Sequence, residues 1–272
     1  MKYLTKNAAT MFAFNIWDIC SAKAVIDAAS DVEKDVILQT SERVFKELDK
    51  KEFRDYVKSY ALKKKIAAYL HLDHCKNLDT ILLAVDMHWD SVMYDGSHIS
   101  LSDNIINTNK VTEYAHVHDV LIEAEVGNII GVEDDIVVRE GGVAAIEEVK
   151  SFLCQTEVDM IAVAFGTAHG LYKGTPVLHY DLIEQTAALT DIPFVVHGGS
   201  GLPDEVFVKL LQYSNIKKIN ISTDVKQAFR KGITVAEANG LFAEEGFEAT
   251  KIQQSIHDEI YKTVRNKLIL LK

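Results

Sequence analysis

The chain has 272 residues, 48% of them hydrophobic and 25% charged, and a formal net charge of −11 at pH 7. These proportions are those of an ordinary folded globular protein, not of a disordered or membrane-spanning chain. The acidic balance argues against a general electrostatic grip on nucleic acid or anionic lipid, either of which needs a basic face. Cys20, Cys75 and Cys154 are widely spaced and form no CxxC pair, so neither a disulfide framework nor a thiolate zinc site is expected. The first residues lack the apolar run of a signal peptide. A cytoplasmic protein with no nucleic-acid or membrane partner is expected.

Short apolar runs predict strands at 12–16, 36–39, 66–72, 91–94, 120–126, 160–165, 194–196 and 218–221. The stretches between them carry helical periodicity: Ala24, Val25, Ala28 and Ala29 share a face, as do Ile81, Leu82 and Val85, and Val206, Leu210 and Leu211. Ser21, Ser41 and Asp204 are expected helix N-caps. Connectors of this kind join parallel strands. Eight strand–helix units therefore predict an α/β fold, a (β/α)8 TIM barrel forming a single domain over 1–272, with an open doubly wound sheet as the alternative. The charge-rich stretch 44–65 is expected to be a solvated helical face. Residues 247–271 place Ile252, Ile256, Ile260 and Val264 on one face, as a C-terminal helical extension packed on the barrel or on a second subunit.

In a barrel of this kind the C-terminal strand ends converge on one face, where the chemistry is done. Those ends supply Asn15, Ser41, Asp73, His74, Asp95, Glu123, Glu125, Thr167, His169, His197, Asn220, Ser222 and Thr223. His74, His169 and His197 come from different strands and could meet at one metal with a coordination position left open. His116 and His118 precede the fifth strand and belong to the opposite face. Gly198, Gly199 and Ser200, with Ser222 and Thr223, can offer N–H and hydroxyl donors to a phosphate at the last two loops. A Schiff-base mechanism needs a lysine projecting into the barrel. The sixth strand has none, and Lys217 and Lys218 lie at the start of the eighth, so metal catalysis is favoured. No glycine-rich turn follows the first strand, which makes a dinucleotide cofactor improbable.

Six motifs in this order carry a resemblance to a known family: His71-Leu72-Asp73-His74, Ser91 to His98, Glu123-Ala124-Glu125-Val126-Gly127, Gly166-Thr167-Ala168-His169-Gly170, His197-Gly198-Gly199-Ser200-Gly201 and Asn220-Ile221-Ser222-Thr223. From Phe12 to Arg230 the chain resembles the class II, zinc-dependent ketose-bisphosphate aldolases, in the branch of fructose- and tagatose-bisphosphate aldolases. The resemblance implies one catalytic Zn2+ per subunit on His74, His169 and His197. It implies that Asp73 handles the proton on the aldehyde-derived oxygen, and that Asn220 orients the enediolate. Gly170, Gly198, Gly199, Ser200, Asn220, Ile221, Ser222 and Thr223 are the implied substrate-binding residues, joined by Asn15, Ser41 and Lys173. Asp95 and Glu125 hold a second divalent or monovalent cation in some members, or else brace the ligand shell through hydrogen bonds.

Gly131-Val132-Glu133-Asp134 matches the family's mobile catalytic loop and makes Glu133 the group that moves the proton on the ketose carbon. Many relatives continue with a longer loop containing Tyr-Thr-Asp-Pro, whereas this chain runs Val137-Val138-Arg139-Glu140-Gly141-Gly142, a departure that bears on lid closure and sugar preference. The implied reaction is reversible aldol cleavage of a ketose 1,6-bisphosphate, of fructose or tagatose type, to dihydroxyacetone phosphate and an aldehyde such as glyceraldehyde 3-phosphate. The alternatives are an aldolase for a deoxy-keto sugar phosphate of inositol-type catabolism, a metal-dependent barrel hydrolase, and a non-catalytic sugar-phosphate-binding subunit. The hydrolase usually needs a histidine pair on the first strand, which Phe14-Asn15-Ile16 lacks. Family habit implies a homo-oligomer, dimer or tetramer.

Overall fold

The structure, a computed structural model, describes residues 3–133, 136–138, 142–170, 172, 174 and 177–271. Its strands are β1 (Met11–Asn15), β2 (Val36–Ser41), β3 (Ala68–Cys75), β4 (Ser91–Tyr94), β5 (Leu121–Val126), β6 (Ile130–Glu133), β7 (Ile136–Val138), β8 (Met160–Val163), β9 (Ala168–His169), β10 (Phe194–Val196) and β11 (Ile216–Ile221). Its helices are α1 (Ile19–Asp31), α2 (Glu42–Glu47), α3 (Lys50–Lys64), α4 (Leu78–Asp86), α5 (Leu101–Val117), α6 (Ile146–Gln155), α7 (Tyr180–Leu189), α8 (Asp204–Leu210), α9 (Thr223–Ala238) and α10 (Ala249–Leu268). Eight strands close into a barrel in the order β1-β11-β10-β8-β5-β4-β3-β2, while β7, β6 and β9 form a small separate sheet. Every barrel pairing is parallel. The expected (β/α)8 barrel with a C-terminal helix is the fold observed, and the open sheet is not.

Two expected caps shift. Asp18 caps α1, its carboxylate accepting the Ser21 N–H at 2.7 Å, so Ser21 stands inside the helix and completes a capping box. Pro203 precedes α8, which makes Asp204 its first residue. The Ser41 cap is as expected.

Alternation along the strands divides the barrel into two cores. Phe12, Phe14, Leu38, Leu72, Ile122, Ile161, Phe194 and Ile219 face outward and are buried under the helices. Each such side chain contributes on the order of 1.5–3 kcal/mol by leaving water. The inward residues Met11, Ala13, Ile37, Leu121, Met160, Ala162 and Val195, with Leu4, form an apolar floor, against which Tyr3 stacks on Tyr69 at 3.9 Å. Other inward positions are polar: His71 of β3, Ser91 of β4, Glu123 of β5 and Lys218 of β11, all fully buried. The floor keeps water from below, and the polar layer carries the site above it.

The C-terminal helix is bound tightly. Gly232 lets α9 and α10 touch, since a Cβ there would lie 2.4 Å from Ile256 Cα. Asp27 of α1 accepts from Tyr60 Oη (2.8 Å) and His257 Nε2 (3.0 Å) and pairs with Lys23 (3.0 Å) and Lys64 (2.5 Å). Among the described residues, no helix is long and apolar enough to cross a membrane.

Candidate active site and metal centre

Asp73 and His74 are neighbours in β3, and in a regular strand they would face opposite sides. The register of β3 against β4 shifts between Leu72 and Cys75, and His74 takes φ +45°. This bulge, with backbone strain at a non-glycine residue, lets both side chains serve one buried site. The strand therefore runs three residues past its expected end.

His74 meets His197, which follows β10, and His169 of β9. Ring centres are 4.5 Å apart for His74 and His197, 4.8 Å for His74 and His169, and 5.8 Å for His169 and His197. One nitrogen from each lies within 4.8 Å of the other two, and all three rings are buried. Behind them stand carboxylates: His74 Nδ1 lies 3.2 Å from Asp95 Oδ2, and His197 Nε2 lies 2.8 Å from Glu123 Oε1. With those nitrogens donating, His74 Nε2 and His197 Nδ1 turn lone pairs toward each other at 2.7 Å, an arrangement that calls for a cation or a shared proton between them. The electrostatics agree. Burial disfavours charge on His74, but the carboxylates of Asp73, Asp95 and Glu125 outweigh it and raise its pKa well above the ordinary imidazole value. Three imidazoles, two of them backed by carboxylates, fit a zinc-like divalent ion.

Asp95 and Glu125, with His74, make a second grouping with metal-ligand spacing. Asp95 is buried, which opposes ionisation, yet its bonds to His74 and Ser97 hold its carboxyl well below the usual range. Burial and the charge of Asp95 push Glu125 the other way.

Lys218 departs from expectation. The strand β11 begins two residues early, so Lys218 points inward with Asn220. Its ammonium, wholly buried inside the barrel, donates to Glu123 Oε2 at 2.8 Å. The lysine thus steadies the carboxylate that holds His197. Its two-residue spacing from Asn220 was the available signal.

The Asp73 carboxylate is held from both sides. Gln39 Nε2 donates to Asp73 Oδ2 at 3.0 Å and to Asn15 Oδ1 at 2.5 Å, while Asn220 Nδ2 donates to Asp73 Oδ1 at 3.2 Å. Asn220 Oδ1 is buried with no hydrogen-bond partner among the described residues. Gln39 was read only as part of an apolar strand, although it is the polar inward residue of β2. Ser41 and Asn15 line a cavity of about 260 Å3 beside this group.

The loops after β10 and β11 interlock. At Gly198, φ +67°, a Cβ would lie 2.3 Å from Ala168 O. Gly199 N–H donates to Asn220 O at 2.9 Å, and Ser200 Oγ accepts the N–H groups of Ser222 and Asp224, each at 3.1 Å. Those two groups hold the loops together. Ser222 Oγ, buried and without a partner among the described residues, remains for a ligand at the start of α9. Thr223 opens α9, Gly170 follows His169 at φ +91°, and Ile221 packs outward into the core, its side chain closing on Gly199, where an added Cβ would lie 3.0 Å from Ile221 Cδ1. Tyr172 Oη donates to Gly198 O at 2.8 Å, and burial pushes its hydroxyl up to about 12.

Glu133 ends β6, where a loop was expected. Gly131 pairs with His169 across the small sheet, and a Cβ on it would lie 2.1 Å from His169 O. The backbone leading to Glu133 is thereby fixed to a histidine of the cluster. Lys173, Asp134 and residues 139–141 lie outside the described residues. His116 pairs with Asp159 at 3.0 Å, at the end of α5 just before β5.

The family profile described as fructose-bisphosphate aldolase class-II matches residues 1–272. The 6-phospho-5-dehydro-2-deoxy-D-gluconate aldolase of Shouchella clausii is 34% identical over 268 residues, which cover 97% of this chain and 89% of that protein. Among solved structures, the YdjI aldolase of Escherichia coli superposes with a TM-score of 0.80 at 22% identity, over 97% of this chain and 91% of that one. The fructose-bisphosphate aldolase of Campylobacter jejuni superposes with a TM-score of 0.77 at 21% identity, over 97% and 90%. These two likenesses speak for the fold, and the full-length sequence match for the family. The chain belongs to the class II fructose-bisphosphate aldolase family, whose members are metal-dependent lyases.

Proposed function

We propose that this protein catalyses reversible aldol cleavage of a keto sugar phosphate, releasing dihydroxyacetone phosphate and an aldehyde. The observation that carries this reading is the meeting of three buried imidazoles from separate strands beside the doubly held carboxylate of Asp73. A Zn2+ ion on His74, His169 and His197 would supply Lewis-acid polarisation of the substrate ketone. Asp73 takes the hydroxyl proton of the carbon that becomes the aldehyde, as the carbon–carbon bond breaks and its electron pair passes to the enediolate. Glu133 then delivers a proton to the carbon of that enediolate. Asn220 orients the dihydroxyacetone half, and Gly170, Gly198, Ser200 and Ser222 with Thr223 hold its phosphate at the start of α9, while Gly199 keeps that loop in place through its bond to Asn220 O. Asp95 braces His74 in this reading, and a second cation beside Glu125 remains the other use of that pair.

A ketose 1,6-bisphosphate of fructose or tagatose type is the first substrate reading. A second, a 6-phospho-5-dehydro-2-deoxy-gluconate, is favoured by the 34%-identical relative named for that reaction. Cleavage measured on these sugar phosphates side by side, before and after chelation and zinc readdition, tests the proposal. Activity on at least one, lost with the metal and restored with it, is expected, together with loss in Asp73→Ala. Chelator-insensitive cleavage, or an undiminished rate in Asp73→Ala, would overturn it.

A further inference from the structure

A hydrogen-bonded chain enters the barrel from its floor and leads toward the histidine cluster. Tyr3, from the segment before β1, stacks on Tyr69 at 3.9 Å and brings its hydroxyl to 2.6 Å from Ser91 Oγ, at the start of β4. Ser91 Oγ lies 2.7 Å from Nδ1 of His71, its register partner on β3. Across the ring, His71 Nε2 is buried with no hydrogen-bond partner among the described residues. It stands 3.5 Å from Glu123 Oε2 and 3.8 Å from Asp73 Oδ1. The first of these carboxylates orients His197, and on the aldolase reading the second takes the substrate's proton.

The direction of the chain follows from its ends. Burial and the Lys218 ammonium hold His71 neutral, so one ring nitrogen donates and the other accepts. A lone pair on Nε2 would face two carboxylate oxygens, which have only lone pairs to offer. The proton therefore sits on Nε2, and Nδ1 accepts from Ser91. Ser91 has then given its only proton to His71, so Tyr3 is the donor in the remaining bond. The Nε2–H reaches either carboxylate by a shift of under about 1 Å, which makes the placement of the ring decisive for both.

Resting on the aldolase reading for its effect on rate, we infer that Tyr3 and Ser91 are positioning residues, which hold the His71 ring from the barrel floor with its Nε2–H between Asp73 and Glu123. Tyr3 acts only through Ser91. The segment before β1 is thereby coupled to the reacting carboxylate on the far side of the apolar floor.

Tyr3→Phe keeps the ring on Tyr69 and removes one hydroxyl, and Ser91→Ala removes the middle link. Heteronuclear NMR of the His71 ring reads the chain directly. Wild type should show a protonated Nε2 and a hydrogen-bonded Nδ1, with the Nδ1 resonance moving toward that of a non-bonded nitrogen in Ser91→Ala and, by less, in Tyr3→Phe. Cleavage is measured with the zinc-loaded protein on fructose 1,6-bisphosphate, tagatose 1,6-bisphosphate and 6-phospho-5-dehydro-2-deoxy-gluconate. Ser91→Ala should lower kcat by about 5- to 10-fold and Tyr3→Phe by about 3- to 5-fold, with KM nearly unchanged. The double variant should be no slower than Ser91→Ala alone, whereas two independent structural changes would multiply. A protonated Nδ1 in wild type, unmoved ring resonances in both variants, an unmoved kcat in both, or multiplied losses in the double variant would each overturn the inference and leave the aldolase reading standing. If wild type cleaves none of the three sugars, the aldolase reading fails, and the ring resonances still decide whether Tyr3 and Ser91 hold His71.

Discussion

Lys218→Met is the substitution that best tests how the interior is built. The Lys218 and Glu123 charges are 2.8 Å apart with both side chains fully buried. At an effective dielectric of about 20, their attraction is about 6 kcal/mol. Desolvation costs several kcal/mol per ion, so the intact pair sits near balance and removal of one partner is the expensive event, at about 3–5 kcal/mol. In a chain of this size that lowers Tm by on the order of 10 °C. The double variant Lys218→Met with Glu123→Gln no longer strands a charge and should regain most of the stability. It should not regain the metal, because a neutral amide behind His197 makes a weaker ligand of the imidazole; a loss of about 10- to 100-fold in zinc affinity is expected. Calorimetry gives the first quantity and competition with a chromophoric chelator the second. A single variant within a degree of wild type, or a double variant no better than the single one, would refute the reasoning.

Gly131→Ala places a methyl group where His169 O already lies, at φ +130°. It should cost more than about 1 kcal/mol and cut the cleavage rate steeply, measured with Tm on the same preparation; a normal rate would separate β6 from the site. Asp27 carries a stability term with a definite pH sign. Burial alone would raise its pKa, but Lys64, Lys23, Tyr60 and His257 hold it well below the usual carboxylate range. The contribution is therefore present above the unfolded value near about 4 and is lost as pH falls through the folded one. Asp27→Asn should cost about 1–3 kcal/mol at pH 7, with the Tm gap to wild type narrowing below about pH 4; a gap constant with pH counts against the cluster. Thiol titration of the native protein should find Cys20 and Cys154 quickly, since both are exposed. Cys75 should react only after unfolding, because it is buried and burial with Glu42 nearby pushes its thiol well above the ordinary range.

The barrel was legible because its signal is local. Apolar runs of strand length alternate with amphipathic connectors, and closure follows from their number. The three histidines were legible for the same reason, since each falls just beyond or near the end of an apolar run. What escaped depends on register. That Asp73 and His74 both turn inward needs the bulge against β4, which is a property of two strands. That Lys218 enters the barrel depends on β11 starting at Ile216 to pair with β10, and in the sequence only the two-residue spacing from Asn220 marks Lys218, and not Lys217, as the lysine that turns in. Gln39 looks like an interruption in a hydrophobic strand until the closed barrel brings it between Asn15 and Asp73. The small sheet of β6, β7 and β9 was invisible because Ala168–His169 is too short to carry a period.

The interior charges explain why these register-dependent details matter. Asp73, Asp95, Glu123 and Glu125 are all buried at the upper end of the barrel, and Lys218 is the buried ammonium set among them. Glu125 is driven toward its neutral form by burial and by Asp95. These four carboxylates share with the Lys218 ammonium a volume closed below by the apolar floor, where uncompensated charge is costly. Neutral imidazoles contribute none. The raised pKa of His74 is the protein's partial answer, a proton drawn in where positive charge is missing. A metal cation held by His74, His169 and His197 would answer it further. The carboxylates that position the imidazoles are therefore also what would favour a cation at the site.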